Sequence, residues 1–165
     1  MSNLILKHII NLIGTCMIMF WITGCIFSEK VPQGNLSDAW NQTNKALLIV
    51  NKIRHENHLR PVMAHKKVIF AAQMQAIRMA KADKMSHFIG FGDNFRMRMK
   101  SQGILPPAAE NIAYHQKDVQ QAVMSWIHSP KHLKNILGQY SFIGVAVARD
   151  PASNFQPYWA MVLSK

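Results

Sequence analysis

The chain ends in two apolar runs, FIGVAVAR at 142–149 and PYWAMVL at 157–163, separated by the turn-rich DPASNFQ. Apolar runs of this length on either side of a turn read as a β-hairpin. Upstream the pattern is helical. Asp38 can cap a helix running to about His58, with Leu47, Val50 and Ile53 at helical spacing. RPVMAH is a short extended passage. A second helix follows from about Lys66 to Lys84, with Ala72, Gln75, Met79 and Ala80 down one face. A third, FRMRMKSQ, stops at Gly103, a natural C-cap. Pro106 and Pro107 forbid helix at the start of LPPAAENIAYH, whose ENIAYH part suits a short strand. Asp118 to Trp126 is helical again, with Val119, Val123 and Trp126 inward. Helices first and a hairpin last indicate an α+β fold. Met79, Met85, Met97 and Met99, at helical or near-helical spacing, are expected to fill the core.

The stretch SWIHSPKHLKNIL at 125–137 places two histidines around a proline. An unbroken helix would put His128 and His132 on one face, but Pro130 lacks an N–H and its ring clashes with the preceding turn. The better parse ends one helix near His128 and starts another with Ser129 as N-cap and Pro130 as its first residue. His132 then falls in the first turn, where the positive helix end favours the neutral imidazole that binds metal or accepts a proton. His128 is left solvated, so any partner of His132 comes from a distant segment.

The 165 residues allow one domain and a targeting segment. Lys7 and His8 form a weak basic start, Ile9 to Ile22 is largely apolar, and Ile22-Thr23-Gly24-Cys25 looks like a bacterial lipobox. On that reading residues 1–24 are a lipoprotein signal peptide, 25–40 a lipidated cysteine and linker, and 41–165 the domain. Ile26 after the cysteine points to the outer membrane where the host has one. The alternative is an uncleaved anchor, since Ile9 to Phe27 is nearly long enough to span a bilayer. Both readings export the domain. Cys16 lies in the apolar run and Cys25 is the lipid site, so the domain itself holds no cysteine and no disulfide. Without residues 1–24 the chain keeps 18 basic and 8 acidic side chains. This balance suits an anionic envelope surface, although a general habit of using lysine explains it equally well. No motif for nucleic acid is present.

Six motifs occur in order: MSH at 85–87, AEN at 109–111, W-x-x-SPKH at 126–132, NIL at 135–137, IGVAVA at 143–148 and YWAMV at 158–162. With the opening helix VNKIRHENHLRPV, they resemble the bacterial branch of the CAP superfamily (cysteine-rich secretory protein, antigen 5 and pathogenesis-related 1) over about residues 45–163. The resemblance implies an α-β-α sandwich with a central antiparallel sheet. It also implies a cleft of two histidines and two acids that binds zinc in some members. By position these are His87, His132 and Glu110, with Ser129 where animal and plant members carry the second acid. Relatives in the superfamily bind sterols or other lipids, and a few have been proposed as proteases.

Glu110 is the only acid between Asp93 and Asp118 and lies in apolar company, so it requires a partner. His87 and His132 can supply one, through hydrogen bonds or a shared, weakly held zinc ion with an open water position. A His–Glu–His network that only pins the cleft is the competing account. A serine hydrolase built on Ser129, His132 and Glu110 is disfavoured, because no nucleophile elbow surrounds Ser129 and an N-cap hydroxyl accepts from backbone N–H groups. Asn111 is expected to bond backbone beside the cleft. Arg98 matches an arginine recurrent in the family, while Arg96 and Lys100 look like a solvated helix face. His55, His58, His65, His115 and His128 are expected at the surface. The functional expectation is an exported, lipid-anchored binding module for an envelope surface or a small lipophilic ligand. The alternative is a metal-dependent hydrolase using the same cleft, with Glu110 as the candidate catalytic group.

Overall fold

The computed structural model describes residues 35–165. The expected signal peptide, Cys25 and most of the linker lie outside the described residues. The sheet is built on the two carboxy-terminal apolar runs, strands β4 (Phe142–Ala148) and β5 (Tyr158–Ser164), which pair antiparallel from Phe142↔Ser164 to Ala148↔Tyr158. Strand β3 (Ala108–Tyr114) lies antiparallel on the far side of β5. A short β1 (Ala39–Asn41) pairs antiparallel with the other edge of β4, and the two-residue β2 (Met63–Ala64) pairs with β4 in parallel. The antiparallel sheet therefore carries one short parallel addition.

Both faces of the sheet are covered. Along β5 the residues alternate between two clusters: Tyr158, Ala160 and Val162 join one, Trp159, Met161 and Leu163 the other. On the first face lie α2 (Lys66–Ala82) and α3 (Phe95–Ser101), represented in the core by Ala72, Ala76, Met79 and Met99. On the second lie α1 (Thr43–Glu56), α4 (Val119–Ile127) and α5 (Pro130–Ile136), with Val50, Val123, Trp126 and Ile136 packed against the sheet. This is the α-β-α sandwich. Each large aliphatic side chain fully withdrawn from water contributes about 1.5–3 kcal/mol, so these layers carry the fold without crosslinks. Gly144 shows how tightly α2 lies on the sheet: a Cβ there would overlap the backbone of Val68 and Ile69.

Several local expectations need correction. Asp38 does not cap α1, which starts at Thr43 with Gln42 as N-cap. Ala39 and Trp40, read as the end of the linker, are already in the sheet, opposite Ala148 and Val147. Thr43 then anchors the helix start, its Oγ1 accepting from Val145 N–H at 2.9 Å. Of the four methionines expected in the core, Met79 and Met99 are buried, but Met85 and Met97 are 47% and 54% exposed. Gly103 ends α3 as expected, at φ +64° and with Ile104 N–H bonded back to Met99 C=O. Arg54 is buried on α1 and, among the described residues, makes no ion pair. Its guanidinium instead donates to the carbonyls of Arg60, Ile136 and Gly138, tying α1 to the end of α5.

Candidate functional site

Consecutive residues of β3 point to opposite layers of the sandwich, because side chains alternate along a strand. Glu110 sits opposite Val162 and faces the layer of α2 and α3, where its side chain is buried. Asn111 sits opposite Met161 and faces α5: its Nδ2 donates to His132 C=O at 3.1 Å, and its Oδ1 accepts from Asn135 Nδ2 at 2.7 Å. The AEN motif thus fixes one residue for each layer.

Glu110 finds one of the two expected histidines, His87, and in place of the other a partner from α3, Arg98. Arg98 Nη2 donates to both carboxylate oxygens at 2.7 Å, and its side chain is only 3% exposed. His87 Nδ1 lies 2.9 Å from Oε1. A carboxylate already paired with arginine only accepts, so His87 donates through Nδ1 and leaves Nε2 facing the half-exposed side of the ring. Among the described residues, no hydrogen bond joins His132 to Glu110. The physical reason is charge: a guanidinium neutralises a buried carboxylate, which two neutral rings cannot.

Arg98 also organises the MSH loop, donating through Nη1 to the carbonyls of His87 (2.8 Å) and Asp93 (3.1 Å). From α2, Gln75 Nε2 donates to Ser86 C=O at 2.8 Å. Behind Glu110 lies a second buried acid, Asp93, within 3.7 Å of Arg78 and 3.9 Å of Arg98. Burial raises the Asp93 pKa, and the two guanidiniums oppose that shift. Asp93 and Arg78 were not picked out from the sequence. An acid flanked by Gly92 and the helix cap Asn94 reads as a turn residue, and only the fold brings it to Arg78. Arg98 was visible through the family resemblance alone; its burial beside Met99 sets it apart from the exposed Arg96 and Lys100.

His132 lies in the first turn of α5, as expected, and its pKa is lowered, so the neutral ring prevails. Burial is the main cause and the neighbouring charge site of His87 the second. Ser129 is the N-cap by backbone geometry, with Pro130 next, but its hydroxyl makes no capping bond. This corrects the expected contact: its Oγ accepts from none of the helix N–H groups. His128 is the exposed C-cap of α4 and takes no part in the cleft. His55, His58 and His115 are exposed as expected, whereas His65 is half-buried against the Phe142 ring, with 4.7 Å between centroids.

The trio does not fit a three-ligand zinc centre in this arrangement. Both oxygens of Glu110 are taken by Arg98, and His87 Nδ1 is turned to Glu110 rather than to a shared cation. Among the described residues, no group of three or more histidine, cysteine or acidic side chains is arranged to hold a metal ion. Two imidazole nitrogens remain, a sparse donor set for a resident metal.

A three-layer α-β-α domain whose sheet carries a buried Arg–Glu pair with a histidine at its edge defines the class. The family model for CAP, the cysteine-rich secretory protein family, matches residues 47–163, and the chain belongs to that family. The Bacillus subtilis protein YkwD is 33% identical over 104 residues, covering 61% of this chain and 40% of YkwD. The chain thus spans about two fifths of that relative's length. Two solved structures share the fold. An outer surface protein of Borrelia burgdorferi matches at TM-score 0.66 and 16% identity, over 75% of this chain and 92% of that one. An extracellular protein of Bacillus anthracis containing an SCP domain matches at TM-score 0.64 and 20% identity, over 74% and 39%.

Proposed function

We propose that this chain is an extracytoplasmic, lipid-anchored CAP domain that binds a ligand in the cleft of His87, His132 and Ser129, and that it is not a hydrolase. The observation that carries the reading is the pairing of Arg98 with both oxygens of Glu110. A general base must be free to take a proton, and a carboxylate locked in a buried ion pair is a poor one. Around that pair, His132 is held neutral, Ser129 keeps an unengaged hydroxyl, and His87 offers Nε2. Such a surface suits a small, largely apolar molecule with one or two polar groups. Export is supported by the lipobox ending in Cys25, and by the two structural relatives, one an outer surface protein and the other extracellular.

The test uses protein purified from membranes without chelator. Co-purifying small molecules are identified by mass spectrometry for the wild type and for the His87→Ala/His132→Ala variant. A species retained by the wild type and lost from the variant is expected. Peptide or ester hydrolysis that disappears in Glu110→Gln, with the melting temperature preserved, would overturn the binding reading. The anchor is tested separately. Cys25→Ser should abolish incorporation of labelled palmitate, and labelling that persists removes the anchor from the proposal.

A further inference from the structure

Helix α3 has a second face that the cleft does not use. Arg98 and Met99 turn inward, while Arg96, Met97 and Lys100 face solvent. Next to them runs a groove of about 550 Å³. Phe95, Met99, Ile104 and Leu105 line it, and the cations Arg96 and Lys100 line it too. Leu105 is 77% exposed. The loop that leads into this helix carries Phe88 and Phe91, the latter 90% exposed. A globular surface rarely offers this many large apolar side chains along one short stretch, and such patches mark interaction sites.

The charges select the partner. From Asn94 to Ala109 the sequence holds three cations and no acid. The flanking acids, Asp93 and Glu110, are buried and face guanidiniums. Among the described residues, Arg96 and Lys100 make no ion pair. Lys67 adds to the set, its Nζ within 3.2 Å of where a Cβ on Gly103 would stand. Exposed apolar tips between unpaired cations complement an anionic bilayer surface: the tips enter the acyl boundary while the long basic side chains stay at the phosphate level. A chain with 19 basic against 8 acidic residues adds long-range attraction of the same sign.

We infer that the exposed face of α3, with Leu105, docks onto an anionic lipid bilayer. The inference does not rest on which ligand the cleft binds. It also differs from tethering by the amino-terminal segment, which holds the chain near a membrane without orienting the domain.

The test uses the full chain reconstituted into vesicles of phosphatidylcholine alone or of phosphatidylcholine with phosphatidylglycerol. Flotation reports the amino-terminal anchor. Hydrogen exchange of the segment 95–107 reports docking, so failure of the anchor and failure of docking are seen separately. Slower exchange of 95–107 is expected with phosphatidylglycerol, while peptides from α4 and β5 remain unchanged. Arg96→Glu/Lys100→Glu should lower the docked-to-free ratio by about 30-fold or more, since two basic groups are lost from an anionic surface. Leu105→Asp should also abolish the protection. Unchanged exchange of α4 and β5 in these variants shows that they are folded. Equal exchange of 95–107 in the two vesicle types overturns the inference, as does protection that survives both variants. If poly-glutamate in solution protects the segment as well as the vesicles do, the face is a site for acidic polymers and the bilayer proposal falls.

Discussion

Replacing Arg98 by methionine should be among the most damaging single changes in this domain, although Arg98 lies on a short helix near the surface. The substitution roughly preserves the side chain's length and apolar stem but removes the guanidinium, whose Nη2 meets both Glu110 oxygens at 2.7 Å. Glu110 is only 2% exposed at its side chain, so water cannot replace the guanidinium. Breaking a buried pair from one side costs about 3–5 kcal/mol, and the remaining His87 contact at 2.9 Å places the expectation near the lower end. For a domain of this size each kcal/mol is worth about 3–5 °C, so the melting temperature should fall by roughly 10–15 °C. The companion variant Arg98→Met/Glu110→Met removes both charges. Its loss should be smaller than that of Arg98→Met alone, because an apolar pair leaves no stranded carboxylate. Urea titrations of the wild type, both single variants and the double variant give the coupling energy directly, expected at about 2 kcal/mol or more. A loss below about 1 kcal/mol in Arg98→Met would refute the reasoning, and so would a double variant that costs the sum of the singles.

Three further outcomes follow from particular contacts. His132 has a lowered folded-state pKa, so as pH falls from 7 the unfolded chain takes up its proton first. Its share of stability is therefore present above about 6.5, the unfolded value, and is lost as pH falls through that value towards the folded one. His132→Gln should flatten the pH dependence of urea stability between pH 7 and 5 relative to wild type, and identical slopes would contradict this. Ser129→Ala should cost less than about 0.5 kcal/mol in a thermal melt, rather than the ~1 kcal/mol of an engaged N-cap, because the hydroxyl makes no capping bond. Gly144→Ala should destabilise by about 3 kcal/mol or prevent folding, since the added methyl meets helix backbone rather than a yielding side chain; a stable variant with near-native melting would show that α2 can move away from the sheet.

What could be read from the sequence was what periodicity and backbone chemistry determine locally. The hairpin of β4 and β5 rests on two uninterrupted apolar runs. The α4–α5 corner rests on Pro130, which cannot sit inside a helix. The end of α3 rests on a glycine at positive φ. The misses share a different cause. Strand β1 forms only because the edge of β4 is open to it, and three residues carry no period of their own. Met97, expected in the core, faces outward because a helix of seven residues is too short for its spacing to define an inward face. The core side of α3 is chosen by the buried charge of Glu110 on a strand that enters the sequence later. Near Glu110, the motifs pointed to the His87 contact but not to the arginine that pairs with the acid. Charge pairing across the sandwich is a property of register, not of composition.

The two faces of α3 also join the cleft to the docking surface. On its inner face Arg98 holds Glu110 and the carbonyl of His87 at 2.7 and 2.8 Å. One residue away, Met97 is more than half exposed on the outer face. Seven residues of helix have little length over which to absorb a displacement, so a contact that shifts the outer face shifts the guanidinium as well. Hydrogen bonds near 2.7 Å respond steeply to such shifts, and the group at their end is the carboxylate that orients His87. A bilayer seated on Arg96, Met97 and Leu105 would therefore restrain the helix that sets the geometry of the cleft mouth. On this proposal ligand exchange at His87 is coupled to whether the domain lies on the membrane or stands away from it, and the coupling passes through Arg98.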